Sequence, residues 1–311
     1  PWTHGGHAAS FAGDADFGID APLDDYNELR LRWFDRWLKG LDTGIDREPP
    51  VRIFVMGTGD GRQALNGHLD HGGAWREENE WPLARTRWTN YYLQPEGGLD
   101  LALPPPSSPS PFRFEPWNPV PTIGGNISAA ENVMPAGGFD QRCTDRVFGA
   151  KDHLPLAARR DVVTFVTAPL DHDLEVTGPL EVNLWAASSA VDTDFTAKLI
   201  DWYPPNPDYP DGYALNLEDS VIRARYRDDR STPRLMTPGE VYQFKIVLFP
   251  TSNVFKQGHR IRLDVSSSNF PRFDVNPNTG EPLGRNARLA AADQLIYHDP
   301  GHPSHIVLPV A

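Results

Sequence analysis

Apolar residues recur at helical spacing in one segment near the start of the chain. They lie three or four positions apart and so form one broad stripe of a helix; its members are Tyr26, Leu29, Trp33, Phe34, Trp37, Leu38 and Leu41. Asp24 and Asp25 are suited to a helix start, and Lys39 with Gly40 to a basic last turn and a left-handed cap. The pattern predicts an amphipathic helix whose apolar face must be buried against something.

A short β-rich run, Val51–Met56, follows this helix and ends at Gly57. A helix beside a strand is typical of an α/β fold, but one strand cannot make a sheet. Residues 59–80 are polar and irregular, so we place a domain boundary there. Residues 1–78 are therefore predicted to be an incomplete α/β remnant, consisting of a loop, one helix and one strand.

Beyond this boundary the chain alternates between apolar and polar positions over short runs, which is typical of half-buried strands. Alternation is clearest over residues 241–248 and 260–265. The candidate strands are 88–93, 99–103, 112–115, 162–166, 174–188, 196–202, 220–226, 241–248, 260–267 and 304–310. About ten short strands favour a jelly-roll, galactose-binding-like β-sandwich over residues 79–311. The predicted fold class is mainly β.

Composition narrows the choice of partners. The chain has 311 residues, 39% of them hydrophobic, and a formal charge of −13. That charge argues against nucleic acid and anionic membranes as partners, and no apolar run approaches the roughly 20 residues of a membrane-spanning helix. A single cysteine, Cys143, allows no internal disulfide and is expected to be inert. We expect no cofactor and no metal; the cellular compartment stays open, with the cytoplasm favoured.

The first seven residues, PWTHGGH, look like the loop that carries the last member of a serine-hydrolase triad. No serine of the chain lies in a Gly-x-Ser-x-Gly motif. In α/β-hydrolases the triad runs in the order Ser, Asp or Glu, His. A piece from the C-terminal side of such an enzyme would keep the histidine and lose the other two members.

The chain as a whole resembles the C-terminal portion of the CocE/NonD serine hydrolases, which include cocaine esterase, α-amino-acid ester hydrolases and Xaa-Pro dipeptidyl-peptidases. The resemblance rests on segments in a specific order: PWTH at 1–4, RWFDRWLKG at 32–40, VRIFVMG at 51–57, SSAVDTDF at 188–195, TSNVF at 251–255, GHRI at 258–261, SSSNFP at 266–271 and HIVLP at 305–309. It implies a Ser-Asp-His α/β-hydrolase domain, a helical cap and a C-terminal jelly roll. Of these, the chain carries the jelly roll and the histidine loop.

The resemblance also implies site residues. His4 matches the general base, whereas His7 is expected to face solvent or to be hydrogen-bonded. Trp2 either lines the acyl pocket or packs beneath the histidine loop, and packing is favoured. Asn126, Ile127 and Ser128 follow Gly124-Gly125 and are candidate residues of the pocket wall; the alternative is an ordinary surface loop.

Two other groups invite a functional interpretation. Asp192 and Asp194, together with Asp201 and Asp219, could hold calcium, but hydrogen bonds to turn backbone are favoured because no calcium-binding loop is present. Ser266, Ser267 and Ser268 lack the strand-turn-helix context of a nucleophile. We expect structural roles for both groups.

Two classes of function remain. The first is the C-terminal part of a serine hydrolase that acts on a small ester, amide or peptide, with the catalytic serine and aspartate on a missing N-terminal portion; this chain alone would be inactive. The second is a carbohydrate-binding or structural jelly-roll module that uses exposed aromatics such as Trp75, Trp81, Trp88 or Trp117. The predicted helix would either fold back on the jelly roll or expose an apolar patch that promotes homo-oligomers.

Overall fold

The computed structural model describes residues 1–127 and 133–311. These residues form one α-helix, α1 (Tyr26–Lys39), four 3-10 segments (Ile45–Arg47, Pro95–Gly97, Leu156–Ala158 and Ala224–Tyr226) and seventeen strands. The strands are β1 (Phe11–Ala12), β2 (Ala15–Asp16), β3 (Val51–Met56), β4 (Leu69–Asp70), β5 (Gly73–Glu78), β6 (Arg87–Leu93), β7 (Leu99–Asp100), β8 (Ser110–Phe114), β9 (Val163–Val166), β10 (Leu174–Ser188), β11 (Asp194–Tyr203), β12 (Tyr213–Arg223), β13 (Tyr242–Phe255), β14 (Arg260–Ser266), β15 (Ala292–Asp299), β16 (His302–Pro303) and β17 (His305–Val310).

Two sheets, antiparallel except for one parallel strand pair in the larger, face each other and enclose the main core. The larger has ten strands, with β5-β3-β13-β10-β17-β6-β7 as its main path; the smaller has the order β12-β11-β14-β9. Inward-facing side chains of both sheets form one buried cluster, in which Phe165, Phe195, Phe244 and Phe255 are fully buried. The predicted mainly-β sandwich is therefore confirmed.

Helix α1 begins and ends where the sequence predicts. It starts after Asp25 and stops at Gly40, whose φ of 70° is left-handed and whose N–H donates to the carbonyl of Asp35. Glycine takes this conformation without a Cβ clash. No residue of the helix is buried, and Trp33, Trp37 and Leu38 remain 52%, 57% and 77% exposed. Of the two predicted outcomes for the apolar face, exposure is the one observed. No helix within the described residues has the length and apolar character required to cross a membrane.

The large sheet continues into the segment that the sequence analysis assigned to an α/β remnant. Strand β3 pairs with β13 in parallel at Met56 and Asn253, and with β5 in antiparallel register along its whole length. Strand β5 itself lies in the stretch that was expected to be irregular. The predicted remnant strand is thus a member of the sandwich sheet, while the division at residues 78 and 79 stays a prediction.

The first residues of the chain pack on this sandwich through a second buried cluster. Strands β1, β2 and β4 form a small sheet. Ala12, Ala15 and Phe17 from this region contact buried side chains of the sandwich, among them Phe54 and Leu215. This packing holds the N-terminal loop against the β-sandwich.

Candidate active site

His4 lies at the tip of a tight turn. The N–H of Gly6 donates to the carbonyl of Thr3 at 2.9 Å, and Gly5 between them has a φ of 78°. A glycine at the third position of such a turn is favoured because that position requires a positive φ. His4 is exposed. The imidazole is therefore presented outward on a short, closed turn.

Trp2 anchors this turn. Its indole Nε1 donates to the carbonyl of Ala21 at 3.2 Å, and its ring lies 5.5 Å from the ring of Trp75 on β5. Trp75 in turn donates its Nε1 to the carbonyl of Asp20 at 3.0 Å and contacts Phe54 edge-on at 5.2 Å. Trp2 thus packs against Trp75 next to the histidine turn.

A cavity of about 160 Å³ lies beside the anchored turn. Its lining brings together two residues that the sequence analysis had singled out, Trp2 and Asn126, with Phe17, His71 and Leu217 among the others. Ile127 is 47% exposed and, like His4, is absent from the lining. Ser128 lies outside the described residues. The cavity walls are mostly apolar with a few polar groups, as in many small-ligand sites.

The loop that carries Asn126 is fixed by its two glycines. Gly125 and Gly137 exchange backbone hydrogen bonds of 2.9 and 2.8 Å. A Cβ on Gly124 would lie only 2.5 Å from the carbonyl oxygen of Gly137. The close approach of the two backbones excludes a larger residue at Gly124, and it sets the position of Asn126 at the cavity.

His71 is a residue of this region that the sequence analysis missed. It is fully buried, and its Nδ1 is hydrogen-bonded to the hydroxyl of Tyr203. The Tyr203 ring lies 4.0 Å from the ring of His259, which is hydrogen-bonded through Nδ1 to Asp201 at 2.8 Å. Burial lowers the pKa of His71 to about 3, so the ring is neutral at neutral pH. No local pattern links residues this far apart in sequence.

The four aspartates considered for calcium have protein partners, and the predicted bonds to turn backbone are largely wrong. Asp192, Asp194 and Asp219 form ion pairs with Arg225, Arg223 and Arg272. Asp201 takes part in the His259 contact, and one backbone donor, the N–H of Arg225, does reach Asp192 at 3.0 Å. Buried carboxylates need such partners because an unpaired charge in the interior is costly.

The three consecutive serines have structural roles, as expected. The hydroxyl of Ser266 donates to the carbonyl of Asp161, Ser267 contacts Gln294, and Ser268 accepts from the N–H of Val120. Among the described residues none of these hydroxyls is hydrogen-bonded to His4.

A mainly-β sandwich that holds an exposed histidine turn is the architecture to compare with known proteins. The sequence profile of the X-Pro dipeptidyl-peptidase C-terminal non-catalytic domain matches residues 43–307, and the chain belongs to this family. The match begins after α1 and includes β3 and β5. The resemblance to the CocE/NonD hydrolases is thereby confirmed.

Relatives cover the whole chain. Cocaine esterase of Rhodococcus sp. (strain MB1 Bresler) is 36% identical over 323 residues, which span 100% of this chain and 50% of that protein. An aminopeptidase from a Thaumarchaeota archaeon has a similar structure, with a TM-score of 0.77 at 27% identity over 100% of this chain and 48% of that one. An α-amino acid ester hydrolase has a TM-score of 0.75 at 29% identity, and the match covers 98% of this chain and 48% of that one. The chain thus spans about half the length of these relatives.

Proposed function

We propose that the chain is the C-terminal part of a longer serine hydrolase that cleaves ester or amide bonds, with His4 as the general base. The observation that carries the proposal is the placement of His4: exposed, at the tip of a turn that Trp2 anchors to the sandwich. Relatives named as esterases support this role, since they match the chain over its full length.

In this mechanism the imidazole of His4 takes the proton of a serine hydroxyl as the oxygen attacks the substrate carbonyl. His4 then returns the proton to the leaving alcohol or amine. In the second half-reaction water attacks the acyl-serine, and His4 takes the proton of the water and returns it to the serine oxygen. The serine and the orienting aspartate would come from polypeptide outside this chain. The chain alone would therefore be inactive.

The exposed face of α1 fits the same proposal. The helix presents four large, exposed apolar side chains on neighbouring turns, Trp33, Phe34, Trp37 and Leu38, and exposed apolar patches often mark interaction sites. We propose that the catalytic portion covers this face, as a helix of an α/β-hydrolase covers its sheet. Self-association of the isolated chain through this face would be the consequence of leaving it uncovered.

Trp2, Asn126, Ile127 and Ser128 are proposed to contact substrate. The shared cavity supports this for Trp2 and Asn126. Relatives are named for cocaine, for α-amino acid esters and for Xaa-Pro peptides. A small ester, or an amide such as an N-terminal Xaa-Pro dipeptide, is accordingly the proposed substrate class.

The test is a pair of histidine variants in the longer protein that carries this chain. With a p-nitrophenyl ester, His4→Ala is expected to lower kcat by about a thousandfold or more, because loss of a triad member removes the proton transfer. His7→Ala is the matched control, since His7 packs on Tyr26 at 4.4 Å, and its kcat should stay near that of the unaltered protein. Equal losses in both variants, or none in His4→Ala, would contradict the proposal.

The carbohydrate-binding alternative stays a prediction with its own test. Trp88 and Trp117 are each 55% exposed, whereas Trp75 is half-buried against Trp2. Binding to a glycan array that is lost in Trp88→Ala or Trp117→Ala would favour the module. Absence of binding would favour the hydrolase.

A further inference from the structure

Two tryptophans from distant parts of the chain hold one short backbone segment. Trp2 and Trp75 donate their indole N–H groups to the consecutive carbonyls of Ala21 and Asp20. Their rings also contact each other, with centroids 5.5 Å apart. The two indoles therefore hold the same segment, and loss of Trp75 would remove one of the contacts that hold Trp2.

Trp75 is itself fixed by the sandwich. It lies opposite Phe54 in the β3–β5 register and touches that ring edge-on. The guanidinium of Arg52 lies 4.9 Å from the centroid of the Trp75 ring, a favourable cation–π distance. Aromatic and cation contacts on a paired strand leave the Trp75 side chain little freedom.

We propose that Trp75 is a positioning residue for His4, which it acts on through Trp2. This inference rests on the proposed function, because it assumes that His4 is the base. Trp75 belongs to the region that matches the domain described as non-catalytic. That domain would thus hold the catalytic histidine in place without touching the reacting atoms.

The effect of losing this support should appear in turnover. A catalytic group displaced by about 1 Å can lose on the order of a hundredfold in rate. In the longer protein, Trp75→Ala is expected to lower kcat for a p-nitrophenyl ester by about ten- to a hundredfold. KM should change by a smaller factor than kcat, because Trp75 does not line the cavity and reaches it only through Trp2.

A conservative variant and a second readout separate positioning from folding. Trp75→Phe keeps a ring against Trp2 but loses the donor to Asp20, so its kcat should lie between those of Trp75→Ala and the unaltered protein. Amide hydrogen exchange should become faster over residues 1–23 in Trp75→Ala and stay unchanged over β10 and β13. Phe249→Ala, at an exposed aromatic position of β13, is the matched control and should alter neither quantity.

Two results would overturn the inference. One is a kcat in Trp75→Ala equal to that of the unaltered protein. The other is faster exchange across the whole sandwich, which would make Trp75 a stability residue only. His4→Ala is measured beside these variants: if it retains full activity the proposed function fails, whereas loss in His4→Ala with normal Trp75→Ala rejects the positioning role alone.

Discussion

Glu218 on β12 has an unusual environment for a carboxyl group. Burial and the neighbouring Asp219 raise its pKa to about 8. Arg272, the cation that would oppose this shift, is paired with Asp219. The folded protein therefore keeps a proton on Glu218 at neutral pH, where the unfolded chain has released it.

This protonation makes stability depend on pH. Because the folded pKa of Glu218, about 8, lies above its ordinary value of 4.5, the free energy of unfolding should fall as pH rises between those two values. Glu218→Gln removes the ionisable group, and with it this loss of stability at high pH. The free energy of unfolding of the variant should exceed that of the unaltered chain by about 1–3 kcal/mol near pH 8.5, and by less near pH 5.

Urea unfolding at several pH values checks this prediction. Glu77→Gln, at an exposed position of β5, is the control and should shift stability by no more than about 0.5 kcal/mol at any pH. If Glu218→Gln and Glu77→Gln give the same pH dependence, Glu218 is ionised in the folded protein.

Single residues were recoverable from the sequence where a local motif marks them. His4 and Trp2 lie in one four-residue segment, and the glycines before Asn126 signal a tight backbone approach. His71 could not be found in this way. Tyr203 ends β11 and His259 immediately precedes β14, both more than a hundred positions away, so only packing reveals that Tyr203 contacts both histidines.

Helix α1 shows what an apolar stripe does and does not establish. The pattern predicted its existence and both ends correctly: Asp25 precedes the helix, although without a side-chain capping hydrogen bond, and Gly40 supplies the left-handed cap. Periodicity also identified the apolar face. It could not decide whether that face is covered, since this depends on tertiary packing.

The exposed face predicts an unusual response to substitution. Trp37→Glu should change the free energy of unfolding of this chain by no more than about 0.5 kcal/mol, because the side chain is already in solvent. Light scattering and binding of an apolar dye should both decrease. Leu184→Ala, in the fully buried core, is the contrasting variant and should cost about 2–5 kcal/mol. A comparable loss in Trp37→Glu would show that α1 is packed in solution.

Strands were predicted well where apolar and polar residues alternate in the sequence, and poorly where polar residues interrupt the apolar positions. β10 and β14 were found almost to the residue. β15 was missed because Gln294 and His298 occupy inward positions, which conceals the alternation. Gln294 donates its side-chain amide to Thr193 and Ser267, and the His298 ring is hydrogen-bonded to Ser107 and Ser110. Sequence alone does not display these distant contacts.

At the scale of the molecule, the N-terminal segment and the sandwich share one buried cluster. Phe17 is buried, and its ring meets that of Phe54 edge-on at 6.1 Å. Residues on both sides of the predicted boundary at 78 contribute to the cluster. Shared burial of this kind favours cooperative unfolding of the two segments.

Phe17→Ala tests this cooperativity. It should lower the free energy of unfolding of the whole chain by about 3–5 kcal/mol, and unfolding should remain a single transition. Fluorescence and circular dichroism should both report that transition. Phe11→Ala, at a site 42% exposed, should cost much less. Two separate transitions, with the second unaffected by Phe17→Ala, would instead support independent domains at 1–78 and 79–311.

The pattern of neighbouring residues in the sequence was enough to establish the β-sandwich class, the helix with its two ends, and the histidine turn, because each depends on residues that are close in sequence. Three-dimensional packing decided three further features: the sheet that β3 joins, the contact of Trp75 with Trp2, and the arginine partners of Asp192 and Asp194. Those contacts join residues separated by tens of positions. Their energies come from burial and pairing, which arise when the sheets close over a common core.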